Sequence, residues 1–391
     1  MCNLRAGGES SMLRAEMSDP FLEERHNSLG LRVRAFGDKE LRPRANDEAN
    51  PFGAAVELAA LLATHGLLAP AVPPPFGTMD ARSLVTVREE LAYFSGLADA
   101  VFGTQVLGAL PVALAGSDAQ KGRWLPAVVR GDAVAALAVT EPEAGSDLSS
   151  VRTRAERDGL VWRLEGVKTL ISNGSIANLY VVLARSSEVE GSRGLSMFLV
   201  DAEAPGVVSK RLEALAAHAL GEVRFEGTPA VLLGDEGAGY QTVLAALELT
   251  RPGVGAAACG IAARALDESV RWAMARRQFA RPLAHQQNTR LVLAEMRTEL
   301  EAARLLVRRA AWRRDVERVP IPREAAEAKL FATEAAQRIV DHAVQIHGGQ
   351  GILKGATVER LYREVRALRI DGGTSEVQKL VIAREILRDA R

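Results

Sequence analysis

Apolar residues recur with two different periods along the chain, and the change of period divides it. From Phe21 to Asp132 the spacing is helical, with Phe21, Leu22, Leu29, Leu31, Val33 and Phe36 falling near one face. VELAALLATHGLLAP follows as an apolar helix closed by Gly66 and the run Pro73, Pro74, Pro75. Ser83 to Leu114 reads as one or two further buried helices. Ser117 suits the N-cap of a helix that ends at Gly131. From 133 to 232 the runs shorten. VRTRAERDGLVWRLEGVK holds two runs joined by Asp158-Gly159, a hairpin signal, and Asn173-Gly174 marks another turn. LYVVLAR and LSMFLVDA are short, β-branched or aromatic, and bounded by Gly and Ser. From 233 long helices return: Tyr240–Ala275, Pro282–Val316, Pro322–His347 and Thr374–Ala390, with apolar stripes that suit an antiparallel bundle. The predicted class is α+β, mainly α. A flexible tail (1–20) precedes an N-terminal helical domain (21–132). A small central β-barrel or sandwich domain (133–232) and a C-terminal four-helix bundle (233–391) follow.

Composition narrows the partners. Lys plus Arg equals Asp plus Glu at 49 each among 391 residues, so net charge draws the chain toward neither nucleic acid nor anionic membrane. The two cysteines, Cys2 and Cys259, offer no disulfide framework and no zinc spacing. A reducing, cytoplasmic setting and no metal are expected. MCNLRAGGESSMLRAEMSDP lacks the apolar core of a signal peptide. Ala100–Ser117 is uncharged for 18 positions but carries Gly103, Gln105, Gly108, Pro111 and Gly116, which reads as a buried helix rather than a membrane span.

Four segments hold candidate chemistry. AVTEPEAGSD (138–147) presents hydroxyls and open backbone N–H groups that suit a flat heterocycle or a phosphate, and equally an ordinary turn. RRQFARPLAHQQ (276–287) presents arginines suited to a pyrophosphate, or a solvated helix end. QIHGGQG (345–351) has paired glycines that permit close approach of a ligand or cap a helix, and its His347 reads as a packed, hydrogen-bonded histidine. In LELTRPG (247–253), Glu248 and Arg251 share a helix face, as a grip on a polar ligand or a plain ion pair.

Taken in order, TEPEAGSD, VKTLISNGSIANLYVVLAR, TRPGVGAAACGIAARALDESVRWAMARRQF, QIHGGQG and GGTSEVQKLVIARE resemble the acyl-CoA dehydrogenase family, from about Phe21 to Ile386. The resemblance implies an FAD held between subunits of a homodimer or homotetramer, and electron transfer to an electron-transferring flavoprotein. It places Ala138, Val139, Thr140, Gly145 and Ser146 along the flavin and thioester tail, and Ser172 near flavin N5. Leu170 stands where the family often has an aromatic wall. Arg276, Phe279 and Gln287 of a neighbouring subunit, with Gln345, Gly348 and Gly349, would hold pyrophosphate and adenine. Thr374 and Glu376 would close the cofactor site, Gly373 would approach the thioester, and Glu248 and Arg251 would meet the pantetheine or phosphate end.

One departure from the family stands out. Its base is usually a Glu immediately before the Gly-Thr of the last loop, and Gly372 stands there. Its alternative base precedes the arginine matching Arg251, and Thr250 stands there. A missing general base costs about 10²–10⁴-fold in rate. Asp371 is the nearest replacement, but in extended backbone it would face away from the neighbouring position. Four readings follow. The first, and the one ranked highest, is an FAD-dependent acyl-thioester dehydrogenase with a displaced base. The second is an acyl-carrier-protein (ACP) dehydrogenase oxidising a short hydroxyacyl group for polyketide extender units. The third is a subunit of a mixed complex whose partner supplies the Glu. The fourth is a non-catalytic relative or a flavin monooxygenase.

Overall fold

The structure, a computed structural model, describes residues 19–44, 49–159 and 161–390. The expected tail over 1–20, with Cys2, lies outside them except for Asp19 and Pro20.

The N-terminal layer is five helices: α1 (Glu24–Phe36), α2 (Pro51–Thr64), α3 (Ala81–Phe94), α4 (Gly96–Ala115) and α5 (Asp118–Arg130). Their ends follow local chemistry. Asn50, Asp80 and Ser95 each accept a backbone N–H at the start of α2, α3 and α4. Ser117 and Gln120 form a reciprocal capping box on α5, and Gly131 ends that helix in the left-handed region at φ 75°. Helix α4 is long and apolar enough to cross a membrane, and here most of it is packed inside the protein.

The β domain closes on itself. Strand β4 (Leu179–Arg185) pairs with β2 (Arg154–Asp158), β2 with β3 (Val161–Ser172), and β3 with β7 (Leu220–Leu233). Strand β7 pairs with β5 (Leu195–Asp201), which returns to β4. This is a five-stranded barrel, with β1 (Ala135–Ala138) added on β4 and β6 (Val207–Leu212) on β7. The β2–β3 hairpin turns at Gly159, φ 64°, as Asp158-Gly159 predicts. Trp162, Tyr180, Phe198 and Phe225 fill the interior. Gln105 of α4 docks the helical layer on the barrel. Its amide donates to Ala133 O at 2.9 Å and accepts from Ala135 N at 2.7 Å.

The C-terminal layer is α6 (Gly239–Ala275), α7 (Gln287–Trp312), α8 (Pro322–His347), α9 (Thr357–Ala367) and α10 (Ser375–Asp389). Helix α8 packs against the other four. Small residues let α6 lie close to α3: a Cβ at Gly260 would come within 2.2 Å of Glu89 O. Three expectations need correction here. Helix α7 begins at Gln287, not Pro282, because Arg277–Gln278 and Arg281–Pro282 pair as a two-stranded hairpin, β8 and β9. That hairpin turns through Phe279 and Ala280, both left-handed at φ 51° and 62°. Helix α9 was not anticipated, and neither was strand β1, whose last residue opens the segment read as a polar loop.

Candidate active site

The loop after β1 is fixed by a buried ion pair. Lys168 of β3, fully buried, donates to Val139 O at 2.9 Å and to the Glu141 carboxylate at 2.7 Å. Glu141 also accepts from Arg152 N and Thr153 N at 2.7 and 2.8 Å. Burial pulls the Lys168 ammonium down to about 8. For Glu141 burial raises the carboxyl, but Lys168 and these donors outweigh it and hold it below its ordinary value. Both stay charged near neutral pH.

This pair sets a shelf. Thr169 N donates to Thr140 O at 2.9 Å, tying the loop to β3 where its register with β7 breaks. At the break Leu170 is left-handed, φ 56°, and 60% exposed. Ala138, Val139 and Thr140 therefore lie beside Leu170 and Ser172, and Gly145 and Ser146 are exposed farther along the loop. Hydroxyls, backbone ends and an exposed aliphatic face at one place fit a flat heterocycle.

The last loop is held from three helices. Arg251 Nε of α6 donates to Gly372 O at 3.4 Å, and Lys329 Nζ of α8 donates to Gly373 O at 2.6 Å. Gln378 of α10 donates to Gly373 O at 2.8 Å. Thr374 caps α10, accepting from Val377 N. Glu376 is exposed in the first turn of α10, and backbone hydrogen bonding there lowers its carboxyl. Of the two readings for Glu248 and Arg251, the plain ion pair does not form. Glu248 instead accepts from Ile321 N at the start of α8, at 2.8 Å. Thr250 is buried, with its hydroxyl turned back onto Ala246 O.

The backbone at Asp371 is not extended. Asp371 N donates to Ala367 O at 3.0 Å, so the chain continues the coil of α9 into a turn before Gly372 and Gly373, at φ 66° and 100°. The alternation of extended backbone does not apply. The Asp371 carboxylate has no hydrogen bond or ion pair among the described residues. It lies near enough for its charge to act on Arg88, Asp99, His218 and Lys329.

Those four residues are the part of the site that sequence reasoning missed. Arg88 of α3 and Asp99 of α4 form a buried bidentate pair at 2.8 and 2.7 Å. His218, on the β6–β7 connection, hydrogen-bonds Ser172 Oγ at 2.8 Å. Burial pushes the imidazole below its usual range, toward the neutral form, against the charges of Asp371 and Asp99. Burial likewise pulls Lys329 down to about 8. Only Asp99 carried a signal in the sequence, as the sole charge in Gly96–Ala115.

The remaining candidates lie elsewhere. Arg276, Phe279, Gln287, Gln345, Gly348 and Gly349 are all exposed around the other end of α6 and α8. His347 stacks on Trp272, ring centroids 4.9 Å apart, and its Nδ1 donates to Ala343 O, the packed histidine the sequence suggested. Arg276 is 25 helical positions beyond Arg251, about 38 Å at 1.5 Å per residue.

Family models match the chain in three consecutive parts. The descriptions "Acyl-CoA dehydrogenase, N-terminal domain", "middle domain" and "C-terminal domain" match residues 23–132, 136–228 and 237–387. The chain belongs to the acyl-CoA dehydrogenase family. It is similar to a 3-(aryl)acrylate reductase of Clostridium sporogenes, 36% identical over 94% of this chain and 100% of that one. It is equally similar to a cyclohexane-1-carbonyl-CoA dehydrogenase of Geobacter metallireducens, 36% identical over 90% and 96%. A Mycobacterium smegmatis glutaryl-CoA dehydrogenase solved with FADH2 superposes with a TM-score of 0.87 at 28% identity, over 94% of this chain and 96% of that one. The protein is an FAD-dependent oxidoreductase of this family, which oxidises acyl-CoA thioesters.

Proposed function

We propose that this family member oxidises the α,β bond of a short acyl thioester, with Asp371 accepting the α proton that a Glu at position 372 accepts elsewhere in the family. The observation that carries this is the Asp371 carboxylate, exposed at the end of the α9 coil, without a hydrogen bond or ion pair among the described residues, and near enough for its charge to act on Arg88, Asp99, His218 and Lys329. FAD, when bound, supplies the acceptor for the β hydride. The chain's own residues do the rest. Ala138–Thr140, Leu170 and Ser172 form the shelf for the ring, Gly145 and Ser146 continue it toward the thioester tail, and His218 orients the Ser172 hydroxyl. Arg251 and Lys329 fix the Gly372 and Gly373 carbonyls, so the turn that carries Asp371 keeps its shape. Removal of a proton by a fixed carboxylate within hydrogen-bond reach is general-base catalysis.

The exposure of Arg276, Phe279, Gln287, Gln345, Gly348 and Gly349 around one end of α6 and α8 supports a second copy of the chain as the source of these groups. The Arg276 guanidinium has no partner among the described residues and suits a pyrophosphate. We take CoA as the carrier, because relatives are named for CoA thioesters. An electron-transferring flavoprotein is the proposed electron acceptor.

A second reading makes His218 the base, since its imidazole is held neutral. Anaerobic rapid mixing with butyryl-CoA separates the two. Asp371→Asn is expected to slow flavin reduction about 10²–10⁴-fold with FAD content unchanged, and His218→Gln to slow it less. An unchanged rate in Asp371→Asn removes Asp371 from the role.

A further inference from the structure

Backbone hydrogen bonds bring Ser172 and His218 together. Ser172 ends β3 opposite Leu220, the first residue of β7. Beside that pair, Asn173 N donates to Ala219 O at 2.6 Å, and Leu220 N donates to His218 O at 2.9 Å. The turn so fixed sets the imidazole against the Ser172 hydroxyl, Nε2 to Oγ 2.8 Å. Neither Ser172 Oγ nor His218 Nδ1 makes another hydrogen bond among the described residues. Each group therefore keeps one side open. A hydroxyl and a neutral imidazole can each donate and accept at once, which passing a proton requires.

The surroundings suit a way-station rather than a trap. Burial favours the neutral ring, while the charges of Asp371 and Asp99 favour the imidazolium. Both carboxylates are partly offset. Asp99 pairs with Arg88, and Asp371 acts on Lys329, which with Arg251 holds the next two carbonyls of its loop. The ring can thus gain a proton without keeping it. Its chain leads outward, since Glu213, Ala214 and Leu215, just before it, are exposed.

We propose that Ser172 and His218 form a path that carries a proton from the flavin ring to water when the reduced cofactor is reoxidised. This rests on the reading of the shelf as the seat of the ring. A one-electron acceptor takes two electrons in two steps and no proton, so the hydrogen delivered to the ring nitrogen leaves as a proton. Ser172 Oγ accepts it as the Ser172 hydrogen moves to His218 Nε2. The imidazolium then loses its Nδ1 proton to water, and exchange with water restores the starting tautomer. Asp371 handles a different proton, the one taken from the substrate, so the path is independent of which group is the base.

The test uses FAD-loaded protein, reduced anaerobically with stoichiometric dithionite and mixed with ferricenium, which takes single electrons and no proton. Flavin absorbance follows reoxidation, and a pH indicator in weakly buffered solution follows the released proton. In the unaltered protein the two signals are expected to rise together. His218→Gln keeps a partner for Ser172 but takes up no proton, and it is expected to slow both signals about 10²-fold or more. Ser172→Ala is expected to slow both as well. Imidazole added to His218→Ala should restore part of the rate, which a merely structural role would not allow. Reoxidation and proton release as fast in His218→Gln as in the unaltered protein overturn the path. If Ser172→Ala also leaves the flavin absorption band unshifted, the shelf reading fails with it. Slowing confined to reduction by butyryl-CoA assigns His218 to the base role and overturns the path too.

Discussion

The Lys168–Glu141 pair shows how much of the site rests on single residues. It is buried, and each partner makes further hydrogen bonds, so removing one partner leaves a charge uncompensated. Lys168→Met is expected to destabilise the protein by about 3–5 kcal/mol, read by urea unfolding at pH 7. Adding Glu141→Gln should recover much of that loss. The sign with pH follows from the lowered Glu141 carboxyl. Its stabilisation is present above the unfolded value and is lost as pH falls through the folded one. The deficit of Lys168→Met against the unaltered protein should therefore shrink as the pH is lowered, because a protonated Glu141 needs no cation. A deficit that stays constant with pH would show that the pair does not carry the loop's charge balance. At this scale the sequence showed Lys168 and Glu141 only as ordinary polar residues 27 positions apart, because only the closed barrel brings them together.

Among the elements, the loop from Asp371 to Thr374 depends on backbone conformation that only its glycines tolerate cheaply. Gly373 combines φ 100° with a built Cβ 2.9 Å from Gln378 Nε2, whereas at Gly372, φ 66°, a Cβ would make only an ordinary contact, 3.7 Å from Val254 Cγ2. Gly373→Ala should therefore cost clearly more than Gly372→Ala. For the latter, the left-handed backbone alone sets a cost of about 1–2 kcal/mol. Urea midpoints of the FAD-loaded variants check the order, and equal midpoints would contradict the packing described. Elements with local signals were legible in the sequence: the Ser117 cap, the Gly131 stop and the Asp158-Gly159 hairpin all lie where their residue types place them. The β8–β9 hairpin was not, because Phe279 and Ala280 are poor turn formers and take left-handed backbone against their propensity. Strand β1, four residues long, carries too little pattern to announce itself, and β4 and Gln105 define it from outside.

For the whole molecule, the change of apolar period pointed to the helical–β–helical order and the family likeness to FAD chemistry, and the family comparisons bear out both. The charged cluster was invisible there, since Arg88, Asp99, His218 and Asp371 come from four separate stretches that only tertiary packing joins. The same scale carries the assembly proposal. Phe279 is 90% exposed at the tip of its hairpin, an unusual position for a large apolar residue unless something covers it. Phe279→Asp is expected to lower both the assembly size in sedimentation equilibrium and the bound flavin per chain. A change in neither would leave the second copy without support. The proposed chemistry meets its most direct test in anaerobic titration of the purified yellow protein with short acyl-CoA thioesters, including 3-hydroxybutyryl-CoA, followed at the flavin absorbance band. Stoichiometric bleaching by at least one thioester, slowed about 10²–10⁴-fold in Asp371→Asn, is the expected result. A fully loaded flavin that no thioester reduces, or one reduced equally fast without the Asp371 carboxylate, would contradict it.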